Sequence, residues 1–238
     1  MLKSLLHLYP PLSRIREALA GSGKRVFLVG GALRDYYVKG RGHDLDFAVD
    51  NGAIALSRKV ARRIKGSFVL LDKEHGSARV VKKLDKEIWT FDFTDWRGKG
   101  IQEDLYLRDF TVNAMAVDIL AGAPKLLEVQ GARRDLDTGL VRMTNPKAFQ
   151  EDPLRLLRAF SLTAGLGFKI EAKTLRQIKK DAPLISKVAV ERIREEIFRI
   201  LASRRAYETC RAMDAIGLLP QVIPQLTVMK GVHQGGFH

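Results

Sequence analysis

VFLVGGALRDYYVKGRGHDLDFAVD, residues 26–50, is the stretch on which the reading of the fold rests. Its first four residues, Val26 to Val29, are a short apolar strand that runs into Gly30 and Gly31. GALRDYYV has the make-up of the first turns of a helix, so the glycine pair sits at a strand-to-helix junction. There, missing Cβ atoms let backbone amides approach an anion. A second strand follows, Asp44 to Val49, on which Asp44 and Asp46 alternate with Leu45 and Phe47. Side chains two apart on a strand share a face, so both carboxylates point the same way. That is the arrangement needed to hold divalent metal against phosphate.

Working outward, residues 12 to 20 read as a short helix ending at the glycines of GSGK. AIALSRKVARRI reads as a helix with Ile54, Leu56, Val60 and Ile64 on a broad apolar face. SFVLLD, SARVVKKL and IWTFDFTDW read as strands, and the helix is expected to separate a hairpin pair from a mixed sheet. LLEV and GLVRMT add short strand-like pieces. From Ala148 the apolar period becomes helical, in PLRLLRAFSLTAGL, EAKTLRQIKKDAPLI and VERIREEIFRILAS. The expected organisation is therefore a head of residues 1–147 and a helical part of residues 148–238. The last residues, QLTVMKGVHQGGFH, have no stable end cap.

Composition narrows the function classes. A chain of 238 residues that is 46% hydrophobic can fill two cores. Its single cysteine, Cys210, excludes an intrachain disulfide framework and a cysteine-rich zinc site, and fits a reducing cytoplasm. No apolar run approaches the roughly 18 to 20 residues that span a bilayer, so no membrane role is expected. The balance of 41 Lys and Arg against 27 Asp and Glu, a net charge of +14, implies a polyanionic partner. Basic runs at RKVARR, RVVKK, RQIKK and Arg204–Arg205 suit a nucleic-acid strand, with Tyr36, Tyr37 and Tyr106 as stacking candidates. His7, His233 and His238 lack ligand-like spacing with carboxylates or Cys210, His43 reads as a polar turn residue able to touch a phosphate, and His75 as a hairpin turn residue.

The acidic strand suggests phosphoryl transfer, in which two divalent ions activate a hydroxyl and stabilise the leaving oxygens. Asp44 and Asp46 can bridge such ions. A third carboxylate from a neighbouring strand is expected at Asp92, with Asp95 as the alternative. Gly30 and Gly31 belong to neither a dinucleotide fingerprint nor a Walker loop, and gain meaning from Arg34, Asp35 and the paired acids nearby. Further on, Glu151, Asp152, Arg155 and Arg158 fall three or four residues apart on an expected helix. One face would then present acceptors beside a guanidinium fork, able to pair with C or A while excluding G and U.

Six segments in order, LVGGALRD, HDLDFAVD, EDLYLRDFTVNAMAVD, GARRDLDTGLVR, EDPLRLLRAFSLTAGLGFKI and VERIREEIFRIL, resemble the motifs of the class II tRNA nucleotidyltransferase and bacterial poly(A) polymerase family. The resemblance implies an α+β fold: a polymerase-beta-like head of mixed sheet and helices, then an all-helical neck and the start of a body domain. It implies magnesium on Asp44 and Asp46, and a ribose and triphosphate site lined by Arg108, Asp109 and Asn113. Asp152 and Arg155 would read the edge of the incoming base, flanked by Glu151 and Arg158 and supported by Glu191, Arg192 and Glu195. The implied activity is template-independent addition of CMP or AMP from CTP or ATP to the 3′ end of tRNA. Poly(A) addition, a noncatalytic RNA-binding module and a metal-dependent phosphohydrolase are the rival readings. Two departures stand out: Leu107 replaces an arginine common before Arg108, and LLDKEHGSARVV stands where poly(A) polymerases carry a glycine-arginine-arginine-phenylalanine signature, which favours tRNA as primer. Family members are usually longer, so the resemblance implies a truncated or split form.

Overall fold

The apolar run Val26–Val29 becomes β1, buried along its whole length, and Asp44–Val49 becomes β2, antiparallel to it with Val29 opposite Asp46. Five more strands complete the sheet: β3 (Ser67–Asp72), β4 (Ser77–Leu84), β5 (Glu87–Asp95), β6 (Met115–Asp118) and β7 (Leu126–Glu128). Their spatial order is β3-β4-β5-β2-β1-β6-β7, with β2 and β5 parallel and the other pairs antiparallel. The computed structural model describes residues 2–38, 40 and 42–232. His233 and His238, with the end of the uncapped tail, lie outside the described residues.

The helices of this part are α1 (Leu2–Leu8), α2 (Pro11–Leu19), α3 (Gly31–Val38), α4 (Ala53–Ile64), α5 (Ile101–Tyr106) and α6 (Ala132–Asp137). The short α1, α5 and α6 are additional to the elements that the sequence pattern assigns. The expected separation of a hairpin from a mixed sheet does not occur. Parallel pairing sets Phe91 opposite Leu45 and Phe93 opposite Phe47, so the hairpin joins the same sheet through its apolar residues.

Strand alternation gives the sheet two unlike faces. Leu28, Leu45, Phe47, Val80, Phe91 and Phe93 form one, all fully or nearly fully buried. Phe47 and Phe93 stack with centroids 4.8 Å apart. The opposite face is apolar only towards β1 and β6, where Phe27, Val29, Ala48 and Ala116 pack with Ile101 and Leu105 of α5. Beyond that cluster it turns polar, carrying Asp44, Asp46, Thr90, Asp92 and Arg79.

Two compact units divide the chain, Met1–Asp137 and Thr138–His238. The division falls before the expected boundary at residue 147. Within the second unit, β8 (Leu140–Val141) pairs in parallel with β9 (Lys169–Ile170), tying the strand-like GLVRMT to the helical part. Its main helices are α7 (Ala148–Glu151), α8 (Arg155–Leu166), α9 (Ala172–Asp181), α10 (Val190–Leu201) and α11 (Ala206–Ala215). Among the described residues no helix is long and apolar enough to cross a membrane.

Phe93 is fully buried and stacks on Phe47, so Phe93→Ala removes a ring and leaves a cavity. Urea denaturation should show a loss of about 3–5 kcal/mol. A loss below about 1 kcal/mol would mean that this face is not the core of the sheet.

Candidate active site

Asp44 and Asp46 lie on one face of β2, Asp44 exposed and Asp46 half-buried. Thr90 Oγ1 donates to Asp44 Oδ1 from the neighbouring parallel strand. Directly across from Asp46 stands Asp92, and across from Asp92, on β4, stands Arg79. Arg79 Nε and Nη2 each donate to one oxygen of Asp92 at 2.7 Å. This bidentate bond, opposed by burial and assisted by the charges of Asp92, Asp44 and Asp46, raises the Arg79 pKa above its ordinary value. Arg79 is thus the counter-cation of the acidic face, a residue that the sequence reading placed only in a basic run.

The donor set fits a hard divalent cation at the Asp44 and Asp46 pair, since carboxylate oxygens can supply part of the shell and leave positions for water or phosphate. Asp92 is different. Both of its oxygens are engaged by Arg79, and among the described residues no group of three or more His, Cys, Asp or Glu side chains is arranged to hold a metal. The alternative third acid, Asp95, accepts from Ala53 N at 2.8 Å and so caps the start of α4.

Gly30 has φ +74°, and a Cβ placed on it would lie 3.3 Å from both Asp46 Oδ2 and Arg108 Nη1. The glycine is required twice, for the left-handed backbone and for the room that a carboxylate and a guanidinium occupy. Gly31 begins α3, where Arg34 Nη2 would stand 3.4 Å from a Cβ.

A cavity of about 560 Å³ opens beside these groups, its walls including Asp46, Asp92, Thr94, Trp96, Arg97 and Arg108. Arg108 is anchored by Asp104, whose Oδ2 accepts from Nη2 at 2.9 Å and from Nε at 3.1 Å. Asp104 also receives Arg97 N at 3.1 Å and is only 4% exposed. Burial alone would raise its pKa, but the charges of Arg108 and Arg97 and their hydrogen bonds hold it below the ordinary carboxylate range. Neither Asp104 nor Arg97 was singled out from sequence. The available signal was the i, i+4 spacing of Asp104 and Arg108, which brings acid and base together on a helix.

A second network ties α3 to the turn before β6. Arg34 donates through Nε to Asp35 Oδ1 at 2.8 Å and through Nη1 to Asn113 Oδ1 at 2.8 Å. Asn113 Nδ2 reaches Asp109 Oδ1 at 3.2 Å, and the same oxygen accepts from Phe110 N at 2.7 Å. Four of the expected residues, Arg34, Asp35, Asp109 and Asn113, are brought together.

In the second unit the expectation of one helical face through Glu151, Asp152, Arg155 and Arg158 is corrected. The segment breaks: α7 ends at Glu151, Asp152 is extended at φ −144° and ψ 99°, and α8 begins at Arg155. Pro153 is the physical reason, because it disfavours helical backbone at the preceding residue. Asp152 Oδ1 accepts from Leu154 N at 3.2 Å, and Asp152 Oδ2 accepts from Arg192 Nη2 at 3.1 Å. Arg155 is buried and donates to Ala148 O at 3.1 Å and to Glu151 at 3.4 Å. Arg158 is half-buried on α8, while Glu191 and Glu195 are exposed on α10. The buried acid of α10 is instead Glu196, held by Ser161 and by Arg199 Nη1 at 2.7 Å.

Comparison with known proteins follows these two parts of the chain. Residues 26–142 match the model for the poly(A) polymerase head domain. Residues 167–230 match that for the probable RNA- and SrmB-binding site of polymerase A. The CC-adding tRNA nucleotidyltransferase of Geobacter sulfurreducens is 42% identical over 209 residues, covering 87% of this chain and 48% of that protein. The CC-adding tRNA nucleotidyltransferase of a Synechocystis species is 35% identical over 221 residues, covering 92% and 52%. Among solved structures, the Thermotoga maritima CCA-adding enzyme complexed with tRNA_CCA superposes with a TM-score of 0.79 at 28% identity, covering 92% of this chain and 52% of that one. The chain spans about half the length of the curated relatives it matches.

Asp104 gives the site a measurable signature. Its folded pKa is depressed below the unfolded value near 3.9, so the stability it contributes is present above about pH 4 and is lost as pH falls through the folded pKa. Asp104→Asn should cost about 2–4 kcal/mol at pH 7, because Arg108 and Arg97 lose their shared counter-charge. The gap to the parent protein should narrow in denaturation curves taken between pH 4 and pH 2. A gap that stays constant with pH would show that Asp104 acts without its charge.

Proposed function

The chain belongs to the tRNA nucleotidyltransferase and poly(A) polymerase family, and from that premise we propose that it adds CMP or AMP, from CTP or ATP, to the 3′ end of tRNA. The observation that carries this reading is the pair of carboxylates on one face of β2, set beside a cavity that Asp46 and Arg108 both line. In the reaction the terminal hydroxyl oxygen of the RNA bonds to the α-phosphorus, the bond to the bridging oxygen of the β-phosphate breaks, and pyrophosphate leaves. The hydroxyl proton passes to solvent.

Enzymes of this family need a divalent metal, and we take it to be magnesium, held here by Asp44 and Asp46. Such an ion, when bound, neutralises charge on the phosphates and acidifies the attacking hydroxyl. The chain's own residues do the rest. Arg108 places positive charge beside Asp46, close enough for both to meet a triphosphate lying over Gly30. Gly30 N donates to Met115 O at 3.4 Å, which leaves the amide of Gly31, at the start of α3, to meet the same phosphates. Arg34, Asp109 and Asn113 orient the ribose through the polar network that fixes them. Asp92 holds Arg79 in place as a further cation over the acidic face, which assigns it a positioning role in place of the metal ligation expected from sequence.

Base choice is assigned to the second unit, with Asp152 and Arg155 reading the base, Glu151 and Arg158 beside them, and Glu191, Arg192 and Glu195 in support. Of these, Arg192 has the direct contact, to Asp152. The division of labour, a catalytic head of residues 1–147 and a helical neck with part of a body in residues 148–238, belongs to the same reading, as does a cytoplasmic location. The CC-adding names of the two curated relatives favour CTP over ATP.

The decisive assay supplies tRNA lacking its terminal CCA with magnesium and CTP, ATP or both. Asp44→Ala and Asp46→Ala should each lower incorporation by at least about a thousandfold, with an unchanged circular dichroism spectrum. Turnover retained in either variant would remove the carboxylate pair from the chemistry and the proposal with it.

A further inference from the structure

The helix α4 carries Arg58, Lys59, Arg62 and Arg63, has Lys65 as its C-cap, and contains no acidic residue. All five cations are exposed, and none forms an ion pair with a carboxylate of the described residues. Arg58 is followed by Arg62, and Lys59 by Arg63, at the four-residue spacing where like charges destabilise a helix. The helix dipole accounts for Arg62, Arg63 and Lys65 near the C-terminal end, but its effect fades within the last turn and does not reach Arg58 or Lys59. A sequence that carries this repulsion without local acids keeps the charge for a partner.

The neighbourhood extends the same sign. Lys82 Nζ donates to Lys65 O at 2.9 Å, and Lys82 and Arg14 line a narrow cleft with Ile64 of α4. Arg58 lies over the Phe68 ring of the edge strand β3 at 4.3 Å, which holds its guanidinium at the surface. From Arg58 to Lys65 the row covers about 10 Å of helix, long enough to follow successive phosphates of one strand.

Placement separates α4 from a nucleotide held at the carboxylates. Helix α4 packs on the apolar face of the sheet: the cleft beside its Ile64 includes Phe91, which shares a face with Phe47 and Phe93. The carboxylates occupy the opposite face. A reacting substrate that also engages α4 must therefore be a long polyanion whose reacting end is elsewhere.

We propose that the exposed side of α4 is a docking surface for the phosphodiester backbone of the RNA substrate, remote from its reacting 3′ end. The choice of RNA rests on the activity proposed above. Phosphate contacts made by these cations release counterions, so they strengthen binding in a salt-dependent manner without reading sequence.

The test compares the parent chain with a variant in which Arg58, Lys59, Arg62 and Arg63 are all replaced by Gln, and with a control in which Lys86, Lys99 and Lys125 are replaced by Gln. Fluorescence anisotropy with tRNA lacking CCA, titrated from low to moderate salt, should show binding weakened about tenfold and a shallower salt slope in the α4 variant only. Incorporation should show a raised KM for tRNA with kcat and the KM for CTP unchanged. The melting temperature should not fall, because like-charge pairs have been removed. An unchanged affinity and slope, or an equal loss in the control, would overturn the docking surface. So would loss of binding to phosphatidylserine vesicles with tRNA binding intact. Binding is read without turnover, so a chain that binds tRNA through α4 yet adds no nucleotide would defeat the activity alone. A chain that adds CMP with tRNA binding unaltered in the variant would defeat the surface alone.

Discussion

Asp44, Asp46 and Asp92 stand on adjacent parallel strands, and three carboxylates gathered on so small an area repel one another unless cations are interleaved with them. Sheet register supplies one of those cations. Because β4 pairs antiparallel with β5, Arg79 falls directly opposite Asp92, and its fork meets both oxygens of that acid. The other comes from outside the sheet: Arg108 Nη1 and Asp46 Oδ2 share the space over Gly30, each 3.3 Å from where a Cβ would stand. Arg108 is itself balanced by Asp104, and Asp104 also by Arg97. Opposite charges therefore alternate from the sheet face into the cavity wall. A phosphate chain entering the cavity would meet guanidinium groups already oriented by carboxylates, with little conformational freedom left to lose.

That pre-organisation depends on how the polar groups are buried. Asp104, Asp109 and Asn113 are each no more than 7% exposed, and a carboxylate or amide removed from water is costly unless its hydrogen bonds are replaced. Among the described residues no buried side-chain nitrogen or oxygen lacks a hydrogen-bond partner. The price of this packing is rigidity, since a change at Asn113 disturbs Arg34 on one side and Asp109 on the other. Helix α5 serves both sides of the balance. Ile101 and Leu105 close the apolar part of the sheet face, and Asp104 between them turns to Arg108.

What the sequence made legible was governed by short-range periodicity. The alternation Asp44-Leu45-Asp46-Phe47 states which side chains share a face, and the glycine pair marks the turn before α3. Arg79 was hidden because its role depends on the β4 to β5 register, a pairing that no spacing within one strand reveals. The same register bears on Asp92: the alternation that points to it as a third metal ligand also aligns it with a guanidinium. Asp95 escaped for a related reason, since capping α4 joins residues 42 positions apart. The break at Asp152, by contrast, was readable. Pro153 forbids easy continuation of a helix, and the three-and-four spacing of charged residues outweighed that signal in a segment whose apolar pattern is helical on both sides.

The break changes what the proposed base-reading residues can offer. On an unbroken helix Asp152 and Arg155 would project side by side, an acceptor next to a fork. With the chain extended at Asp152, the two diverge: Arg155 turns inward to Ala148 O and retains 9% side-chain exposure, while Asp152 retains 31% and is steadied by Arg192. A base approaching this segment would find the carboxylate oxygens first, and those accept from an exocyclic amino group. Cytosine and adenine both carry such a group beside a ring nitrogen acceptor, whereas uracil lacks it. Uracil N3–H can donate to a carboxylate as well, so Asp152 alone does not discriminate against uracil, and the contact that does falls to Arg155. Pairing with the ring nitrogen would require Arg155 to exchange the Ala148 carbonyl for the base, so the inward hydrogen bond of Arg155 ties the second contact to a local rearrangement of the α7 to α8 junction.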